Sequence, residues 1–183
     1  MKTLVISLGL WCTTLAAAAA DFRLSSPDIA PGGAIANKFV YKGFGCSGDN
    51  ISPALSWSGA PAGAKSFALL VHDADAPTGG AGWWHWVVYN IPASATKIAQ
   101  GAGTADGAGL PSGSAQGRTD FGTAGWGGPC PPVGHGKHHY RFTLHALKVE
   151  KLEITDGATA ALIGYVVNDN SIASAKLVGL YGR

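Results

Sequence analysis

The chain has 183 residues, of which 13% are charged, and its formal net charge is +2. So small a charge, with no cluster of Lys and Arg interleaved with aromatics, excludes an electrostatic nucleic-acid footprint. Its 27 glycines and 10 prolines predict a turn-rich chain held by packing rather than by long helices.

The N-terminal segment has the three-part pattern of a secretory signal peptide: Lys2, a mostly apolar run over residues 4–15, and Ala18-Ala19-Ala20 before Asp21. The run is too short to span a bilayer. Cys12 lies inside it, not at a cleavage boundary, and does not read as a lipid anchor. Residues 1–20 are therefore assigned to the signal and residues 21–183 to one domain, long enough for a well-buried core. The expected product is soluble, periplasmic or secreted, and without stable membrane insertion. Cys46 and Cys130 remain, an even count that predicts a disulfide in an exported chain. Two separate buried thiols are the alternative. Catalytic thiol chemistry is disfavoured, because Cys130 sits between prolines with no helix N-terminus to activate it.

Within the domain the pattern is mainly β. Residues 65–72 (KSFALLVH) form a continuous apolar run of strand length, and Asp73-Ala74-Asp75-Ala76-Pro77 supplies a turn. Residues 83–90 (WWHWVVYN) are aromatic and β-branched, the composition of a strand. Residues 101–117, rich in Gly, Ala and Ser, read as a long surface loop bordering the second His motif. That motif joins Gly127-Gly128-Pro129-Cys130-Pro131-Pro132 to His138-His139-Tyr140, and a strand follows over residues 140–149. Thr155-Asp156 caps a predicted helix over residues 157–167, which Asn168-Asp169-Asn170 ends in a left-handed turn. Residues 176–181 make a last short strand. Antiparallel sheets packed on one another are the natural solution for such a chain.

Side chains alternate faces along a strand, so His138 and Tyr140 share one face while His139 and Arg141 share the other. His85 faces opposite to Trp84 and Trp86 by the same rule. The simplest converging set is Asp73, His85, His138 and Tyr140. Imidazole N–H groups, a phenol and a Gly-rich turn suit a phosphate or phosphoester. Asp73 fits if it orients a His through Nδ1. Zinc is disfavoured, since His135, His138 and His139 match neither a helical HExxH pattern nor a Cys/His finger. A serine hydrolase lacks its G-x-S-x-G elbow, and Ser112 and Ser114 lie in the loop.

Several motifs in order resemble the phosphatidylethanolamine-binding proteins, also called Raf-kinase-inhibitor-like proteins, in their bacterial YbhB/YbcL branch. They are Asn50-Ile51-Ser52-Pro53 with Leu55-Ser56-Trp57, then Asp73-Ala74-Asp75-Ala76-Pro77, then Trp84-His85-Trp86. Arg118-Thr119-Asp120-Phe121-Gly122 follows, and Pro131-Pro132 through His138-His139-Tyr140 closes the set. The resemblance implies a large antiparallel central sheet packed on a smaller one, with short peripheral helices. It also implies an anion pocket formed by Asp73, His85, His138 and Tyr140, with a backbone N–H from Cys130 and a rim of Asp75, Pro77, Trp84, Gly128 and Pro131. Asp75 is expected to act structurally. Ala74 departs from the family's usual Pro, and His139 stands where Arg is common. Asn168 and Asn170 replace His found in some bacterial relatives.

The expected function is binding of small anions: phosphate, phosphoester, carboxylate or phospholipid head groups. The alternative is a protein-interaction module, an inhibitor of a protease, kinase or host partner working through the rim. No cofactor and no metal are expected, a homodimer is left open, and phosphoester hydrolysis is the least favoured reading. The kinase-regulating role of eukaryotic relatives does not transfer by fold alone.

Overall fold

The computed structural model describes residues 21–183. The signal peptide assigned to residues 1–20 lies outside the described residues. In chain order the strands are β1 (Arg23–Ser25), β2 (Gly33–Ala34), β3 (Lys42–Gly43), β4 (Cys46–Ser47) and β5 (Leu55–Ser58). Then come β6 (Ser66–Asp73), β7 (Trp83–Pro92), β8 (Lys97–Ile98), β9 (Ala115–Gln116) and β10 (Lys137–Leu147). Helix α1 (Ala160–Asn170) leads directly into β11 (Ser171–Gly182), and a short 3₁₀ turn spans Asn37–Phe39.

Six strands form the central sheet in the order β2-β11-β10-β6-β7-β9, and three form a smaller one, β1-β5-β8. The pairings are antiparallel except β2 with β11. The main core lies between the sheets. Phe67, Leu69 and Val71 of β6, Trp86 and Val88 of β7, and Phe142 and Leu144 of β10 pack in one cluster with Leu24, Leu55, Trp57 and Ile98 of the smaller sheet. On the other face Ala68, Leu70, Val87 and Leu147 lie under Ile163 and Val167 of α1. Covering both faces explains why β6 reads as an unbroken apolar run. Truncating a side chain such as Phe142 in this core would cost about 3–5 kcal/mol.

The helix differs from its expected bounds. Gly157 has φ +77°, outside helical space, and the cap is Thr159, whose hydroxyl accepts from the Leu162 N–H at 3.2 Å. The left-handed Gly157 keeps the preceding turn out of the helix, and Ala160, Ile163 and Val167 are the face that the helix buries on the sheet. Asn168, Asp169 and Asn170 continue the helix rather than ending it in a left-handed turn. The Asn170 amide donates to the Val166 carbonyl, and Ser171 leaves in extended conformation. The last strand is correspondingly long, at 12 residues.

Candidate functional site

Antiparallel pairing of β6 with β10 sets Tyr140 opposite Asp73 at one end of the central sheet. His138, two residues before Tyr140, shares that face. Its Nδ1 donates to Asp73 Oδ2 at 2.7 Å, and Asp73 Oδ1 accepts from the Asp75 N–H at 2.9 Å. Both carboxylate oxygens are thus engaged. Asp73 fixes the orientation and tautomer of His138, leaving Nε2 as its free ring nitrogen.

His85 reaches the same place by a different route. Strict alternation would turn it away from the core face that Trp86 occupies. The β6–β7 register instead pairs Val71 with Trp86 and His72 with Trp84, so His85 is the extra residue of a β-bulge. The bulge lets His85 and Trp86 both point inward. Gly127 holds the bulged residue: its N–H donates to the His85 carbonyl at 2.8 Å, and its carbonyl accepts from His85 Nδ1 at 2.6 Å. A carbonyl can only accept, so Nδ1 carries the proton and Nε2 is a lone pair. Burial pushes the His85 pKa down to about 4, against the Gly127 bond and the Asp73 charge, which act upward. His85 is therefore a neutral imidazole, not the imidazolium expected for an anion donor.

Tyr140 is fully buried, and its hydroxyl has no hydrogen-bond partner among the described residues. Burial and then the Asp73 charge push its pKa up, so the phenol stays protonated. Its ring meets His85 edge-on, 5.0 Å between centroids. Asp73, His85, His138 and Tyr140 line a cavity of about 300 Å³. They place beside one another a buried O–H donor, an imidazole acceptor and a carboxylate-oriented imidazole.

The walls are apolar, formed by Phe44, Pro77, Trp83, Phe121, Cys130 and Pro131. Cys130 is bonded to Cys46, which ties the β3–β4 hairpin, and Phe44 at its tip, to the wall. Arg183 braces the same lip, donating to the carbonyls of Pro131, Gly45 and Phe44 at 2.6, 2.8 and 3.1 Å. Asn50 positions the strip beneath, with its amide donating to the Trp126 carbonyl and its oxygen accepting from the Gly128 N–H.

Three expected rim residues stand elsewhere. Trp84 points to the opposite face of the sheet, its indole 4.3 Å from the His72 ring between centroids, and Trp83 takes the place at the cavity. Gly128 lies behind the wall, packed so closely on the backbone of residues 39–41 that a Cβ would stand 2.1 Å from the Phe39 carbonyl oxygen. Asp75 also stays out of the cavity. Its Oδ2 accepts from both the backbone N–H and Nδ1 of His139 at 2.7 Å. Partial burial would raise its carboxyl, but those bonds outweigh it and hold it below the ordinary value. The 101–117 loop, expected to border the pocket, contributes no lining residue. Its Gln116 pairs instead with the Trp86 indole at the far edge of the sheet. Among the described residues no three His, Cys, Asp or Glu side chains converge as metal ligands.

Sequence reasoning missed Trp83, Phe44, Phe121 and Arg183. Alternation did offer Trp83, two residues from His85. Phe121 lies in a motif the sequence does show, whereas nothing local marks Phe44 or Arg183, which depend on long-range chain crossing. Asp120 of the motif ending in Gly122 accepts from the Trp84 N–H at 2.7 Å, which sets the adjoining Phe121 against the bulge.

A family model described as phosphatidylethanolamine-binding protein matches residues 25–182. The Escherichia coli (strain K12) protein YbcL is 50% identical over 181 residues, covering 99% of this chain and 98% of its own. Its crystal structure superimposes with a TM-score of 0.86 over 90% of this chain and 99% of that one. YbhB of the same organism is 45% identical over 159 residues, 87% of this chain and 99% of its own. A Mycobacterium tuberculosis (strain ATCC 25618 / H37Rv) relative named "Putative lipoprotein LppC" is 41% identical over 170 residues, 92% of this chain and 76% of its own. With the sandwich of sheets and the motifs now in place, the chain belongs to the phosphatidylethanolamine-binding protein family.

Proposed function

We propose that this protein is an exported binder of small ligands with a phosphorylated or carboxylated head and an apolar body. The observation that carries the reading is the Tyr140 hydroxyl, buried without a partner among the described residues, in the cavity that His85 and His138 also line. An unpaired buried donor costs about 1–3 kcal/mol, which a ligand oxygen would recover. The head accepts from Tyr140 and, where the His138 ring carries protons on both nitrogens, from His138 Nε2, while His85 Nε2 accepts a hydrogen bond from the ligand. A phosphomonoester carrying one acid proton meets all three demands. The body lies along Phe44, Trp83 and Phe121. Export is supported by the Cys46–Cys130 disulfide and by the lipoprotein name of the mycobacterial relative. No step of the reading needs turnover, a cofactor or a metal.

Calorimetry with phenyl phosphate at pH 5.5 and pH 8 tests it. A phosphomonoester loses its last proton near ~6, so affinity should fall roughly tenfold per unit above that. His139→Ala, whose side chain faces Asp75 away from the cavity, should bind like the parent. No binding at pH 5.5, or equal affinity at both pH values, would refute the assignment.

The protein-interaction reading has its own observation. Phe44, which lines the cavity, and Val133, next in sequence to the lining Pro132, are 67% and 76% exposed. Retention of a partner by a His138→Ala variant that has lost phenyl phosphate would favour the rim over the cavity.

A further inference from the structure

The opposite face of the central sheet carries a second concavity, of about 360 Å³. Helix α1 covers only part of that face, over Leu70, Val87 and Leu147. On the uncovered part, alternation turns Arg141, Thr143 and His145 of β10 and Ser174, Lys176 and Val178 of β11 outward, away from His138 and Tyr140. His72 stands directly across from Arg141 on β6, and Trp84 across from His72 on β7.

The electrostatics of this groove are one-sided. Arg141 and Lys176 are its charged groups, no Asp or Glu lines it, and neither cation joins an ion pair among the described residues. Arg141 is opposite Val178 and Lys176 opposite Thr143, so the two occupy diagonal positions on adjacent strands, within reach of long side chains. Like charges so placed repel, and a bound anion relieves the repulsion. His145 reports the same field: burial and then Lys176 push its pKa down to about 4. The remaining polar lining is hydroxyl or amide, from Thr143, Ser174 and Asn168. Trp84, with the His72 ring packed on it at a tilt of 48°, closes one end.

We propose that this groove is a second ligand site, for a small ring-bearing monoester of sulfate or phosphate, with the oxyanion between Arg141 and Lys176 and the ring against Trp84. It is independent of the cavity at the sheet end and complementary to it in chemistry. The cavity, with Asp73 and the His85 lone pair, requires a head that still carries a proton. The groove, with two cations and no carboxylate, takes a head fully ionised, as a sulfate ester is at neutral pH.

The test is an NMR titration of the protein comprising residues 21–183 with phenyl sulfate and, separately, phenyl phosphate at pH 7.5. Phenyl sulfate should shift the Trp84 indole N–H and the Lys176 amide saturably, while the side-chain signals of His85 and Phe121 stay in place. Arg141→Gln and Lys176→Gln should each weaken the site about tenfold, the loss expected for one charge-assisted hydrogen bond. Lys97→Gln, a remote exposed cation, and His138→Ala should leave it unchanged. The tighter of the two probes at the groove identifies the ester. Absence of a saturable Trp84 shift, affinities of both groove variants within twofold of the parent, or an equal loss in Lys97→Gln would overturn the proposal. Because the two sites report through different signals, failure at the groove leaves the cavity reading standing, and the converse holds.

Discussion

Replacing Tyr140 by Phe should move stability and affinity in opposite directions. The Tyr140 ring packs in the core and against His85, and a Phe ring keeps those contacts. What disappears is a hydroxyl that is buried and has no hydrogen-bond partner among the described residues. Its desolvation costs about 1–3 kcal/mol, so its removal should stabilise the ligand-free chain. For a domain of this length about 1 kcal/mol corresponds to roughly 2–4 °C in Tm. The ligand complex loses a donor to a charged oxygen, about 1.5–3 kcal/mol, or roughly ten- to hundredfold in Kd. Thermal melts with and without phenyl phosphate at pH 5.5, with calorimetry for Kd, read both effects. A lower Tm for the empty variant would show that the hydroxyl already has a partner. An unchanged Kd would show that it never meets the ligand.

Acid should unfold the protein through its buried imidazoles. His85 and His145 sit near pKa 4 folded against 6.5 as the ordinary value, so their contribution is whole above pH 6.5 and is lost as pH falls toward 4. For His85 the loss is on the order of 3 kcal/mol, and equal urea midpoints at pH 7 and pH 4 would contradict it. Asp73→Asn should let His138 exchange tautomers, visible in its ring ¹⁵N shifts, and weaken phenyl phosphate by at least about tenfold. A single unchanged tautomer would remove Asp73 from that role. Serine at both Cys46 and Cys130 opens a crosslink of 84 residues' separation, worth up to about 4–5 kcal/mol in chain entropy, and urea unfolding at neutral pH measures it. A change under about 1 kcal/mol would mean that the hairpin is held by other contacts, Arg183 foremost.

Legibility in the sequence followed the range of the determining interactions. Alternation along one strand correctly separated His138 and Tyr140 from His139 and Arg141, because that geometry is local. The same rule could not handle His85, whose orientation depends on a one-residue mismatch between β6 and β7. Trp84, which the same rule turns opposite to His85, was placed on the rim only by the family resemblance, and Trp83 was not named there. The helix was expected on the strength of Ala161, Leu162, Tyr165 and Val166, none of which the structure buries, and it was begun too early, since Thr155-Asp156 and Thr159 are equally good caps locally. The left-handed backbone at Gly157 rules out the earlier cap, and one glycine's φ is not written in the local sequence. Gly128 was read as a rim glycine, yet its small size serves a backbone crossing with residues 39–41, invisible in one dimension.

The protonation pattern of the cavity constrains its ligand more tightly than its shape does. Asp73 is a buried carboxylate, and a dianionic head placed near it would add repulsion in a site screened from water. His138 stands between them and can carry a proton while keeping its bond to Asp73. His85, neutral with its only N–H spent on Gly127, cannot donate to the ligand without first being protonated against its burial. The cheaper arrangement leaves that proton on the ligand, hydrogen-bonded to Nε2. A phosphodiester has no such proton, so the site should prefer phosphoethanolamine to glycerophosphoethanolamine, two ligands sharing the amine and differing in that acid proton. Competition against phenyl phosphate at pH 5.5 decides it. Equal competition would mean that His85 contributes no acceptor, and would return the site to recognition by Tyr140 and His138 alone.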